Sequence, residues 1–237
     1  MRQLIIVPAW NEADSLGPTL AEIRATVPAM DIVVVDDGST DATAQIATAA
    51  DVAVLQLPFN LGVGGAMRAG YEYAKRLGYD QAIQVDADGQ HDPADITRVL
   101  SGLERADISI GTRFADKGHY AVSGPRKWAM GLLAFIVSRL AHSKLTDITS
   151  GFRAANRRAI AQYCRHYPAE YLGDTVDSLV GAIRSGLSVT QVPVGMRTRR
   201  AGTPSHNPFK SSIYLLRSMI ALGIALTRRP VTAEGNN

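Results

Sequence analysis

Asp86 and Asp88 stand two residues apart, directly after the apolar run Ala82-Ile83-Gln84-Val85, and lead into Gly89-Gln90-His91-Asp92-Pro93. A strand that closes on carboxylates at i and i+2 turns both side chains to one side of the pleat, which a packed core has no use for. Two hard anionic oxygens converging beyond a strand's end suit a divalent cation with positions open to the oxygens of a diphosphate. A solvated Asp-Gly turn explains the same pair equally well, so the surrounding residues must decide.

Two other acidic clusters also follow β-branched runs. In Val33-Val34-Val35-Asp36-Asp37-Gly38-Ser39-Thr40-Asp41, one carboxylate is placed to accept hydrogen bonds from a nucleobase or ribose. The alternative is that Asp37-Gly38 turns the chain while Thr40 or Asp41 caps the next helix, and for Asp41 capping is the expected role. In Pro8-Ala9-Trp10-Asn11-Glu12, Pro8 is expected to break the strand, Trp10 to pack, and Asn11 and Glu12 to reach base and ribose. The glycines of Asn60-Leu61-Gly62-Val63-Gly64-Gly65-Ala66-Met67-Arg68-Ala69-Gly70 allow close backbone approach. That segment lacks the Lys-Ser/Thr ending of a P-loop and does not follow the first strand, so its small residues are expected to pack a helix near a nucleotide. The five histidines show no metal-ligand spacing. His91, the one near the proposed cation, is expected to face water or support the ligands from behind.

Strand candidates are residues 4–7, 32–35, 52–57, 82–85, 108–110 and 188–194. Helical patterns fill the gaps at 16–27 after Asn11 or Asp14, 42–50 after Thr40, and 96–103 after Asp92-Pro93, and recur at 128–140 and 175–185. This alternation predicts an α/β fold with a mainly parallel sheet flanked by helices, whose ligands bind beyond the carboxyl ends of the strands. A catalytic domain is expected over 1–205, an apolar C-terminal helix within 206–230 and a flexible tail over 231–237.

With 237 residues, 46% hydrophobic and 20% charged, the chain suits one enzyme-sized domain. Its single cysteine, Cys164, rules out an internal disulfide and is expected to be buried. A balance of 25 Lys+Arg against 22 Asp+Glu fits anionic substrates or a negatively charged membrane surface and is too slight to argue for nucleic acid. No signal peptide is read at the N-terminus, and no apolar run reaches the roughly 18 residues of a membrane span. A cytoplasmic protein lying on the membrane without crossing it is the expectation.

Taken in order, Pro8-Ala9-Trp10-Asn11-Glu12, Asp36-Asp37-Gly38-Ser39, Leu61-Gly62, Asp86-Ala87-Asp88-Gly89-Gln90-His91 and Gly111-Thr112-Arg113 resemble inverting GT-A glycosyltransferases, nearest to the polyprenyl-phosphate type. The resemblance implies a nucleotide-sugar donor held by Pro8, Ala9, Asn11, Glu12, Asp37, Gly62, Asp86 and Ala87. It also implies Mg2+ or Mn2+ on Asp88, with Asp86 and Gln90 beside it. Catalysis would fall to Asp88, Arg113, Arg126 and Arg199, with Arg113 and Arg126 engaging a lipid phosphate and Arg199 closing over the diphosphate. Pro204 stands where the family's closing loop has serine.

A phosphate acceptor is already an anion at neutral pH and needs no general base. The alternative is a saccharide hydroxyl acceptor with Asp174 as base, unless Asp174 caps the helix at 175–185. Asp147 and Arg153 are expected to order the acceptor loop as an ion pair. Apolar helices at 128–140 and 213–226, flanked by arginines, fit a membrane surface, a homodimer or a small membrane partner.

Overall fold

The computed structural model describes residues 1–112, 125–167 and 174–199. The chain begins with β1 (Gln3–Ala9), α1 (Ala13–Thr26), β2 (Asp31–Asp36), α2 (Thr43–Ala49), β3 (Ala53–Gln56), α3 (Gly62–Arg76) and β4 (Gln81–Gln84). It continues through α4 (Ile96–Ser101), β5 (Ile108–Thr112), α5 (Pro125–Ala141), β6 (Arg153–Asn156), α6 (Arg157–Arg165), α7 (Asp174–Arg184) and β7 (Val189–Pro193). The seven strands form one sheet in the order β3-β2-β1-β4-β6-β5-β7.

Side-chain alternation divides the core between the two faces of this sheet. Leu4, Ile6, Val33 and Val35 face α3, α5, α6 and α7, while Ile5, Val7, Ile32 and Val34 face α1, α2 and α4. Strands buried on both faces read as unbroken apolar runs, which is how these runs read in the sequence. Gly70 of α3 explains how closely that helix approaches the sheet, since a Cβ there would lie 2.4 Å from Ile6 Cγ2. The expectation that small residues let this helix pack tightly is met.

Two elements depart from expectation. β6, absent from the sequence-predicted set, runs antiparallel between β4 and β5, while the other strands share one direction. Its sequence is Arg-Ala-Ala-Asn, with no β-branched residue to mark it. Ala154 and Ala155 suit it because they are buried against opposite faces of the sheet. α6 was also unmarked; Asn156 caps it, accepting from the Ala159 N–H at 3.0 Å.

Pro8 does not break β1, which continues through it in register with Val35. Ile6 and Pro8 face the same neighbour, β4, whose pairing ends at Ile6 with Gln84, so the missing Pro8 N–H costs no ladder bond. The expected helix within 206–230 and the tail over 231–237 lie outside the described residues. Among the described residues, no helix is long and apolar enough to cross a membrane.

Candidate active site

The shared strand direction brings the ends of β1, β2, β4, β5 and β7 to one edge, where the antiparallel β6 begins. Each loop there is tied to the next. The Asn11 N–H donates to Ser39 Oγ at 2.9 Å, and Asn11 Oδ1 accepts from the Thr40 N–H at 2.8 Å. Asn11 holds this position at φ 54, a left-handed conformation that asparagine tolerates. The N-cap position of α2 falls to Ala42, one residue after Asp41, and Asp41 instead ties the starts of two helices together, accepting from the N–H groups of Thr43 at 2.9 Å and Ala13 at 3.2 Å. Asp37 is buried and accepts from the Leu61 N–H at 2.7 Å, at the entry to α3. Burial pushes its carboxyl above the ordinary value, partly offset by hydrogen bonds from the backbone of Leu61 and Gly62.

The metal-type carboxylates form the centre. Asp88 is 7% exposed, and its Oδ1 accepts from the Gln90 N–H at 2.9 Å. Burial, and then the charge of Asp86, raise the Asp88 carboxyl above the ordinary value. Asp86 Oδ1 accepts from Gln84 Nε2 at 2.8 Å, while its own N–H donates to His91 Nδ1 at 3.0 Å. With Nδ1 accepting, the other ring nitrogen of His91 faces Asp86 Oδ2 at 3.6 Å. His91 is buried and stacked on Phe152 with ring centres 4.6 Å apart, so it supports Asp86 from behind and does not face water. Oxygen-only donors and a carboxylate already strained by burial and a like charge fit a hard divalent cation. Among the described residues, no three His, Cys, Asp or Glu gather into a metal-binding group.

Arg199 bridges this centre to β1. One guanidinium nitrogen lies 3.4 Å from Asp88 Oδ2 and the other pairs with Glu12 Oε1. Glu12 is further held by Ser15 Oγ, which donates to Oε2 at 2.6 Å. From the loop before β6, Gly151 closes against the carboxylates: a Cβ there would stand 2.9 Å from Gln84 Nε2 and 3.3 Å from Asp86 Oδ2. The loop carrying Gly151 is set by Arg153, which donates to the carbonyls of Ser150 at 2.7 Å, Thr175 at 2.7 Å and Ile148 at 2.6 Å. These carbonyl contacts replace the expected ion pair with Asp147, whose Oδ1 instead accepts from the Thr149 hydroxyl at 3.0 Å.

The structure therefore gathers Asn11, Glu12, Asp37, Gly62, Asp86, Asp88, Gln90 and Arg199 on one edge. Pro8, Ala9 and Ala87 are buried there. Trp10 does not pack and is 48% exposed. Arg113 and the side chains of Arg126 and Asp174 lie outside the described residues. Sequence reasoning missed Gln84, whose signal was a lone amide within an apolar run; it picked out Arg153 but not the carbonyls of Ile148, Ser150 and Thr175 that the side chain holds.

Comparison with known proteins agrees with this geometry. The chain is 37% identical to an undecaprenyl-phosphate mannosyltransferase of Micrococcus luteus, over 85% of this chain and 86% of that protein. It is 30% identical to a polyprenol monophosphomannose synthase of Mycolicibacterium smegmatis, over 85% of this chain and 79% of that one. Glucosyl-3-phosphoglycerate synthase from Mycobacterium tuberculosis, solved with Mn2+, uridine diphosphate and phosphoglyceric acid, superposes with a TM-score of 0.73. That match is 20% identical and covers 99% of this chain and 81% of that one, and it shows a common GT-A fold. The family described as glycosyl transferase family 2 matches residues 4–164, which include both aspartates and the loops that support them, and the chain belongs to that family.

Proposed function

We propose that this enzyme is a metal-dependent inverting glycosyltransferase that moves a sugar from a nucleotide-sugar donor to a polyprenyl phosphate. The observation that carries the reading is the meeting of Asp86, Asp88, Glu12 and Arg199 at the carboxyl edge of the sheet. The names of the two bacterial relatives point to the same acceptor class.

Asp88 and Asp86 would hold Mg2+ or Mn2+, with Gln90 beside them. Once bound, the cation would neutralise charge on the departing diphosphate. Arg199 presents a planar fork of donors suited to phosphate oxygens, and Glu12 and Asp88 keep it aimed into the site until a diphosphate offers better acceptors. Asn11, Asp37 and the backbone around Gly62 frame the space for base and ribose. Arg113 and Arg126 are proposed to hold the acceptor phosphate, whose oxygen attacks the anomeric carbon without a protein base. The chain contributes position and charge.

The acceptor's setting supports a peripheral membrane location at the inner face of the cell membrane. A groove of about 770 Å³ beside α5 is lined by Phe135, Arg139, His142 and Lys144, among others. Phe135 is 58% exposed, and the Arg139 guanidinium lies 5.4 Å from its ring centre. An apolar surface edged with cations suits anionic lipid headgroups. An apolar helix within 206–230 is proposed as a further contact with the membrane surface.

The test is a panel of uridine, guanosine and thymidine diphosphate sugars with undecaprenyl phosphate and Mg2+ or Mn2+, read by mass spectrometry of extracted lipid. A sugar-phosphate lipid formed from one donor is the expected product. Transfer only to saccharide hydroxyls, with none to the lipid phosphate, would overturn the acceptor assignment.

A further inference from the structure

Beyond β7 the chain does not leave the site but runs back along it as a strap. The Val194 N–H donates to the Thr112 carbonyl at 3.2 Å, and the Gly195 N–H to Asp95 Oδ2 at 2.8 Å. Met196 then forms an antiparallel bridge with His91, and the Arg197 N–H donates to the Gln90 carbonyl at 3.0 Å. The strap thus pairs with the turn that carries Asp86 and Asp88, and two residues later it delivers Arg199.

The contacts made by the backbone of Val194, Gly195, Met196 and Arg197 all lie before Arg199. Slippage by one residue would move Arg199 to the opposite side of the strap. The Arg197 side chain supplies a further constraint. Its Nε lies 3.1 Å from Asp92 Oδ2, one terminal nitrogen lies 2.8 Å from Asp92 Oδ1, and the other pairs with Glu22 of α1. Asp92 is itself fixed, since its Oδ1 accepts from the Ala94 N–H at 2.9 Å. One guanidinium therefore fastens the strap both to the aspartate turn and to the helix that follows Glu12. A bidentate pairing of this kind carries geometric specificity as well as energy.

We propose that Arg197 is a positioning residue for sugar transfer: its clasp on Asp92 and Glu22 sets the strap's register so that Arg199 reaches Asp88 and Glu12. The proposal rests on the reading of Arg199 given above and goes beyond it, because Arg197 touches neither Asp88 nor Asp86.

A double-mutant cycle with Arg197→Ala and Arg199→Ala tests it, measured as turnover and KM of lipid glycosylation. Arg197→Ala should lower turnover roughly 10-fold, the size of a lost charge-assisted contact, and add little further loss in an Arg199→Ala background. Hydrogen exchange should quicken in peptides spanning 193–199 while the melting temperature holds. Arg197→Lys should recover some of the turnover, and Glu22→Gln, which loosens one arm of the clasp, should give a smaller loss of the same kind. Full multiplication of the two losses in the double variant overturns the proposal, as does a fall in melting temperature that accounts for the lost activity. If Arg199→Ala transfers like wild type, the assignment of Arg199 falls and the proposal with it. If Arg199→Ala is impaired and Arg197→Ala is not, the proposal alone falls.

Discussion

Two surfaces of the molecule, the carboxyl edge of the sheet and the groove beside α5, are built differently. At β1, β2 and β4, loops are bound to one another by side chains reaching neighbouring backbone: Asn11 to Thr40, Asp41 to Ala13, Asp37 to Leu61, His91 to Asp86. Beside α5, the surface instead exposes Phe135 within a groove bordered by Arg139 and Lys144. A prearranged polar frame suits a donor whose base, ribose and diphosphate must be held in fixed relation. An exposed apolar surface with cations suits a ligand that arrives on a bilayer.

Asp88→Asn should break the donor surface most severely. Removing its charge should cost on the order of 10²- to 10³-fold in turnover, as loss of a main electrostatic element does in other enzymes. The fold should gain from the same change. The Asp88 carboxyl is raised by burial and by Asp86, so the folded state holds that proton more tightly than the unfolded state. Its favourable contribution is complete below the ordinary carboxylate value and is lost as pH rises through the raised one. At neutral pH the ionised Asp88 therefore opposes folding. Metal-free Asp88→Asn should melt above wild type at pH 7, with the gap closing under mild acid. A lower melting point at pH 7 would mean that the pairing with Arg199 outweighs burial.

A smaller effect compares the donor frame's turn with one at the opposite edge of the sheet, between α7 and β7. Gly38 sits at φ +69, where an added Cβ would stand only 2.7 Å from the Phe59 carbonyl carbon, whereas Gly186 at φ +80 has nothing within 4 Å of the corresponding point. Gly186→Ala should cost only the left-handed strain, about 1–2 kcal/mol. Gly38→Ala must in addition push the turn after β2 away from the backbone of Phe59 and Asn60, opening the donor frame. Urea unfolding should show the greater loss for Gly38→Ala, together with weaker nucleotide binding. Equal losses would mean that the loops yield easily and that the frame is less rigid than its hydrogen bonds imply.

Legibility in the sequence follows the same division. The parallel strands were readable because burial on both faces demands continuous apolar runs, and their ends were readable because Asp86, Asp88 and Asp36-Asp37 interrupt those runs. β6 was not, since two alanines flanked by Arg153 and Asn156 satisfy a narrow space between β4 and β5 without any propensity signal. Arg199 was recognisable as a site residue by its family-like loop, but its partner Glu12 lies 187 positions away, and only the fold shows the pairing. The burial of His91 was likewise hidden, because it depends on Phe152 arriving with β6.

The smallest expected effect tests whether the two surfaces face different ligands. Lys144→Ala should weaken binding to anionic liposomes roughly 5-fold at low salt, the equivalent of about 1 kcal/mol for one well-placed basic residue. Nucleotide binding should be unchanged, since Lys144 lies in the α5 groove, away from the aspartate centre's contacts. Added salt should shrink the difference between variant and wild type, because charges facing solvent are screened. Trp10→Ala supplies the opposing control: this exposed indole lies on the donor side of the edge, and its removal should leave liposome binding intact. If Trp10→Ala releases the protein from liposomes while Lys144→Ala does not, the membrane meets the donor rim. The groove beside α5 would then serve a partner other than lipid.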